Sequence, residues 1–172
     1  MSMNIQEEIT EELRSKDPIT VAGALITIGK KGLDGFRQDV LHLINHENAD
    51  IRTQALRVMT FYWKEPDFEQ VAFSAITKDP DPDCREHALS YWATYYKGTA
   101  EKSALRTLAK LVADQTLPIT FRAVAVRQFY RVRYPLVFSG EYSEALGDSL
   151  YSAANEAEFE KLVPMNEIQK YL

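Results

Sequence analysis

Apolar residues recur along this chain every three or four positions, the spacing that gathers them on one face of an α-helix. Ile5, Ile9 and Leu13 are spaced by four. Phe36, Val40, Leu43 and Ile44 fit one face, as do Phe73 with Ile76, and Leu105, Leu108 and Val112. Breaker-rich connectors separate such stretches, Asn45-His46-Glu47-Asn48 and Asp79-Pro80-Asp81-Pro82 among them. No segment alternates apolar and polar residues long enough to suggest a strand. The pattern predicts an all-α protein.

A second group of helical segments repeats. Asp-Pro-Ile-Thr-Val-Ala starts at Asp17, Asp-Ile-Arg-Thr-Gln-Ala at Asp50 and Asp-Cys-Arg-Glu-His-Ala at Asp83, each 33 residues after the last, and a looser copy, Thr-Phe-Arg-Ala-Val-Ala, starts 37 residues later at Thr120. The first column, Asp17, Asp50, Asp83 and Thr120, suits N-caps, whose oxygens accept from free N–H groups of a first turn. Five residues on come Ala22, Ala55, Ala88 and Ala125, small enough to let helices approach closely; one turn further come Ile26, Met59, Trp92 and Phe129. The expected helix pairs cover about residues 4–31, 34–64, 67–97 and 100–134. A polar capping helix is expected over about 142–162, ended by Pro164.

Asp-Ile-Arg-x-x-Ala-Leu from Asp50 and Asp-Cys-Arg-x-x-Ala-Leu from Asp83 resemble the second-helix signature of HEAT repeats. The resemblance covers about residues 4–134. Repeat 1 departs from it at Ile19, in the arginine column, and repeat 4 at Thr120, in the aspartate column. It implies a single-domain, right-handed α-solenoid of about four helix pairs closed by the C-terminal helix. It also implies that Arg52, Arg85 and Arg122 form a ladder, each meeting an Asp of an adjacent repeat; the column could otherwise clamp phosphate or carboxylate groups.

Composition narrows the function classes. The longest apolar runs fall far short of the ~18–20 residues needed to cross a bilayer, and the polar, acidic stretch from Met1 to Glu12 has no signal-peptide pattern, so the expected location is the cytoplasm. Cys84 is the only cysteine, which excludes an internal disulfide; its column neighbours Ile51 and Phe121 mark it as a buried apolar residue. His42 and His46 lie one helical turn apart, but no third ligand stands at a telling distance. Neither a glycine-rich phosphate loop nor a Gly-x-Ser-x-Gly elbow is present. The expectation is a non-enzyme with no catalytic residues, cofactor or metal.

Charge is distributed unevenly. The whole chain carries −5, yet the four segments 17–31, 50–64, 83–97 and 120–134 hold eleven cations against four acids. By the HEAT resemblance these second helices line a concave face, so an acidic protein would present a basic groove. An outward stripe runs Gln54, Arg57, Phe61, Lys64; then His87, Ser90, Thr94, Lys97; then Val124, Arg127, Arg131, Tyr134. The helix dipole alone favours lysines at helix ends such as Lys31, Lys64 and Lys97, at about 0.3–1 kcal/mol each, but does not explain Arg57, Arg127 and Arg131. The candidate groove residues are Arg57, Phe61, Lys64, His87, Lys97, Arg127, Arg131 and Tyr134.

The leading expectation is a scaffold, adaptor or immunity-type module that holds an acidic or mixed protein surface. The alternative is a nucleic-acid binder, similar in outline to HEAT-like alkylpurine DNA glycosylases through Arg57, Trp63, Lys64, Trp92, Lys97, Arg127, Arg131 and Tyr134, though lacking a convincing aromatic-aromatic-Asp catalytic element.

Overall fold

The computed structural model describes residues 4–134, 149–153 and 155–172, and among these every regular element is helical. The helices are α1 (Ile5–Leu13), α2 (Pro18–Lys31), α3 (Arg37–Leu43, entered through a 3₁₀ turn at Asp34–Phe36) and α4 (Ala49–Arg57, continued by a π-helical segment, Val58–Trp63). Next come α5 (Glu69–Lys78, entered through Pro66–Phe68), α6 (Pro82–Ala93, with a 3₁₀ turn at Thr94–Tyr96), α7 (Lys102–Ala113) and α8 (Ile119–Arg133). Two short helices end the chain, α9 (Glu156–Leu162) and α10 (Met165–Ile168), the second running into a 3₁₀ turn at Gln169–Tyr171. The expected capping helix over 142–162 falls partly outside the described residues; Glu156–Leu162 is its described helical part, and the chain beyond Pro164 is helical again. None of the described helices is long and apolar enough to cross a membrane.

The starts of the helices follow from their caps. Asn4 opens α1 with a capping box: its side chain accepts from the first turn and its own N–H donates to Glu7. Asp17 caps α2, accepting from the N–H groups of Ile19 and Thr20, with Pro18 at the first helical position. The other three second helices correct the register expected from the sequence. Asn48, not Asp50, caps α4. Asp81, not Asp83, precedes α6 and accepts from the Cys84 N–H at 2.9 Å. Pro118, not Thr120, precedes α8. Asp50, Asp83 and Thr120 therefore occupy second helical positions, where an aspartate is stabilised by the positive end of the helix dipole without capping it.

Aligned on their true caps, the four helices share a stricter pattern than the aspartate alignment gives. Ala24, Ala55, Ala88 and Ala125 form the small column, all at 0% exposure. Ile28, Met59, Trp92 and Phe129 form the large one a turn later, and all are buried. Ala22 and Ile26, expected in these columns, are only half-buried because repeat 1 is displaced by two residues.

The chain divides into two compact units, Met1–Trp92 and Ala93–Leu172. In the first, α2 packs on α1 and α4, and α3 packs on α4. Their shared interior contains Ile9, Leu25, Ile28, Val40, Ile51, Met59 and Phe68. Gly29 is where α2 meets the π-helical end of α4: a Cβ built there would lie 2.4 Å from Cδ2 of Tyr62 and 2.9 Å from its Cγ. The ring is met near its root, where it cannot swing aside. Gly29→Ala is therefore expected to destabilise by about 1–2 kcal/mol, overpacking outweighing the helix propensity gained, read as a lowered denaturant midpoint with unchanged slope.

In the second unit α7 packs along α8. Leu105, Leu108, Ala109 and Val112 give α7 one buried stripe, whereas α8 is buried on several faces, through Phe121, Ala123, Val124, Ala125, Val126, Phe129, Tyr130 and Val132. Val124, expected on the outward stripe, is thus a core residue. Phe159 and Ile168 bring the C-terminal helices into this interior, and Tyr171 meets Phe129 edge-on at 5.4 Å.

Candidate partner-binding surface

The arginines of the second helices divide into two groups by what their guanidiniums meet. In the first group, each column arginine donates to carbonyls in the last turn of the preceding helix or in the connector that follows it. Arg52 donates to the His46 and Glu47 carbonyls, Arg85 to those of Asp79 and Pro80, and Arg122 to that of Val112. Arg52 also forms a two-pronged pair with Asp79 at 2.7 and 2.9 Å, buried on both sides. Arg122 pairs with Glu156 at 2.5 Å and lies over the Phe159 ring. Arg133 reaches Glu167 at 3.9 Å and covers the rings of Tyr134 and Tyr171. Carbonyls left free at connectors need such donors. These arginines hold the fold.

Arg57, Arg127 and Arg131 form the second group: none forms an ion pair with a described carboxylate, and neither do Lys64 and Lys97. The candidate residues fall into both units, Arg57, Phe61, Lys64 and His87 in the first, and Lys97, Arg127, Arg131 and Tyr134 in the second.

In the first unit, the π-helical turn of α4 sends three consecutive aromatic rings in different directions. It is closed by the Lys64 N–H donating five residues back to the Met59 carbonyl, and Lys64 leaves it in the left-handed region at φ 50°. Trp63 packs toward Phe68, and Tyr62 against Gly29. Phe61 is left 54% exposed. The Arg57 guanidinium lies 6.0 Å from the Phe61 ring centre and 5.7 Å from that of Tyr62, within cation–π range. Tyr91 of α6 joins this group: burial pushes its hydroxyl pKa up to about 12, while the Arg57 charge pulls the other way. The ring of His87 sits 6.0 Å from that of Tyr91, and its Nδ1 lies 2.8 Å from the Asp83 carbonyl. Tyr62 and Tyr91 stand outside the candidate groove residues chosen from the sequence; the ring contacts of Arg57 and His87 bring both to this surface.

In the second unit, Arg127 and Arg131 stand one turn apart on α8, both half-buried. The Arg127 Nε is buried without a hydrogen-bond partner among the described residues. Among the described residues Arg131 meets only the Gln128 side-chain oxygen, at 3.5 Å. Its pKa is lowered by burial and by the charge of Arg127. Lys97 is exposed. Tyr134, expected in the groove, donates its hydroxyl to Glu167 at 3.0 Å and stacks on Tyr130, so its ring serves to hold α10.

No family model, curated protein or solved structure matches this chain. The remaining candidates have structural roles. Cys84 is 1% exposed, and burial pushes its thiol pKa up to about 11, far from a reactive thiolate. The His46 Nδ1 accepts from the Asn48 N–H, closing the turn before α4. Among the described residues no group of three His, Cys, Asp or Glu is gathered for a metal ion. Trp63 and Trp92, named in the nucleic-acid reading, pack inside the first unit: Trp92 is 3% exposed, lies against Phe73 and donates its indole N–H to Glu69.

Proposed function

We propose that this chain is a non-catalytic binding module, a short HEAT-like solenoid whose second helices offer guanidiniums and aromatic rings to an acidic protein surface. The observation that carries this reading is the division among the arginines. Arg52, Arg85 and Arg122 each meet acceptors that the fold supplies, down to the paired oxygens of Asp79 around Arg52. Arg57, Arg127 and Arg131 stand on the same helices without a carboxylate among the described residues. Leaving half-buried cations unpaired lowers stability, a cost characteristic of surfaces completed by a partner. The periodic alanine column and the recurring arginine-to-carbonyl contacts support the repeat reading.

Arg57 with the exposed Phe61 is the kind of pair that anchors protein interfaces, where arginine and aromatic residues are enriched and carry much of the binding energy. The same pair could stack on a base, which is the specific support for the nucleic-acid alternative. Capture from native extract on immobilised protein decides between them. The proposal expects an acidic protein retained after nuclease treatment and lost from the Arg57→Ser, Phe61→Ser variant. Retention abolished by nuclease transfers the function to nucleic acid, and equal retention by parent and variant removes this surface from the account.

A further inference from the structure

We propose that Arg127 and Arg131 form a receptor for one doubly charged oxyanion, a phosphate monoester, and that the partner's contact with the second unit is a phosphorylated side chain. This rests on the reading of the second helices as a partner-binding surface and names the chemistry of one part of it.

Residues four apart on a helix are neighbours on its surface, so Arg127 and Arg131 put two positive charges side by side. Neither has a carboxylate among the described residues, although the same helix gives Glu156 to Arg122 and Glu167 to Arg133. Both side chains are half-buried, so their repulsion is less screened than on an open surface. Arg131 bears the consequence in a proton affinity lowered by burial and by Arg127. Among the described residues the Arg127 Nε has no hydrogen-bond acceptor although it is buried, and Arg131 makes one long contact, to Gln128. Two planar donor forks with unused N–H groups and a summed charge of two match a ligand with several acceptor oxygens and two negative charges. A phosphate monoester has both near neutral pH, since its second pKa is about 6. A phosphodiester in a nucleic-acid backbone offers a single charge per phosphorus and would leave one arginine uncompensated.

Thermal unfolding of the full chain at pH 7.5 and constant ionic strength tests this with three probes: inorganic phosphate, methyl phosphate and dimethyl phosphate, each against chloride. Phosphate and methyl phosphate at about ten times their dissociation constant are expected to raise the midpoint by roughly 3–6 °C, and dimethyl phosphate by no more than chloride. Arg127→Gln with Arg131→Gln should abolish the response and leave the protein at least as stable as the parent in low salt, because a repulsion has gone. Arg127→Lys should weaken the response while keeping the charge, and Arg106→Gln, on the exposed side of α7, should retain it. The proposal is overturned if dimethyl phosphate acts as strongly as methyl phosphate, the outcome for a diester-binding surface, or if the double glutamine variant still responds. It is also overturned if phosphate does no more than chloride. Capture through Arg57 and Phe61 can succeed when the phosphate response fails, so the two readings stand or fall separately.

Discussion

Asp79→Ala is expected to cost about 3–5 kcal/mol, because it leaves the Arg52 guanidinium buried without its counter-charge. The carboxylate accepts both prongs of Arg52, and the Asp81 N–H as well. One residue thus ties α4 to the connector that starts α6. Burial opposes the charge on Asp79, but hydrogen bonds from Arg52, Cys84 and the Asp81 N–H outweigh it and hold the carboxyl below its ordinary range. A carboxyl depressed in the folded state stabilises above its unfolded pKa, about 3.9, and that contribution is lost as pH falls through the lower folded value. Urea titrations of the parent and Asp79→Asn should therefore differ fully at pH 7. The two should converge in acid, below about pH 4. A difference independent of pH would mean that the aspartate acts by shape and not by charge.

Arg122→Met should be the second large effect, about 2–4 kcal/mol, from a buried carbonyl and a charge-assisted pair lost together. The methionine fills much of the space of the arginine stem. The Val112 carbonyl is left without its donor, Glu156 without its cation, and Phe159 without the guanidinium 4.5 Å above its ring. The damage should be local before it is global. Hydrogen exchange of α9 amides is expected to accelerate far more than that of α7, because Arg122 links α8 to α9 directly. Uniform acceleration across the unit would show instead that α9 is held mainly by Phe159.

Helix positions were legible in the sequence because apolar periodicity and breaker residues coincide, as at Asp79-Pro80-Asp81-Pro82. The repeat register was legible only to within two residues. Asp50 and Asp83 sit where aspartate is favourable in a first turn without being a cap, and the true caps Asn48 and Asp81 are equally good residues two positions earlier. Ala22 and Ala24 offer the same side chain to either alignment, so composition could not choose between them. The unpaired arginines were found from charge position alone. Their lack of a carboxylate among the described residues could not be foreseen, since Arg133 two residues from Arg131 has one. The hydrogen bond from Tyr134 to Glu167 was not legible, because the two lie 33 residues apart. The π-helical turn at Val58–Trp63 has no periodic signature, and it determines which of three aromatic rings remains outside.

The proposed division of the second-helix arginines into two working sets is tested most directly by measuring stability and partner retention together in a variant with Arg57, Arg127 and Arg131 all changed to Glu. These side chains make no ion pair with a described carboxylate, so unfolding free energy should fall by far less than the roughly 3–5 kcal/mol expected of Asp79→Ala. Retention of the nuclease-resistant acidic partner should fall to background. A folded variant that still retains the partner would contradict the account, and so would one whose melting collapses as far as that of Asp79→Ala.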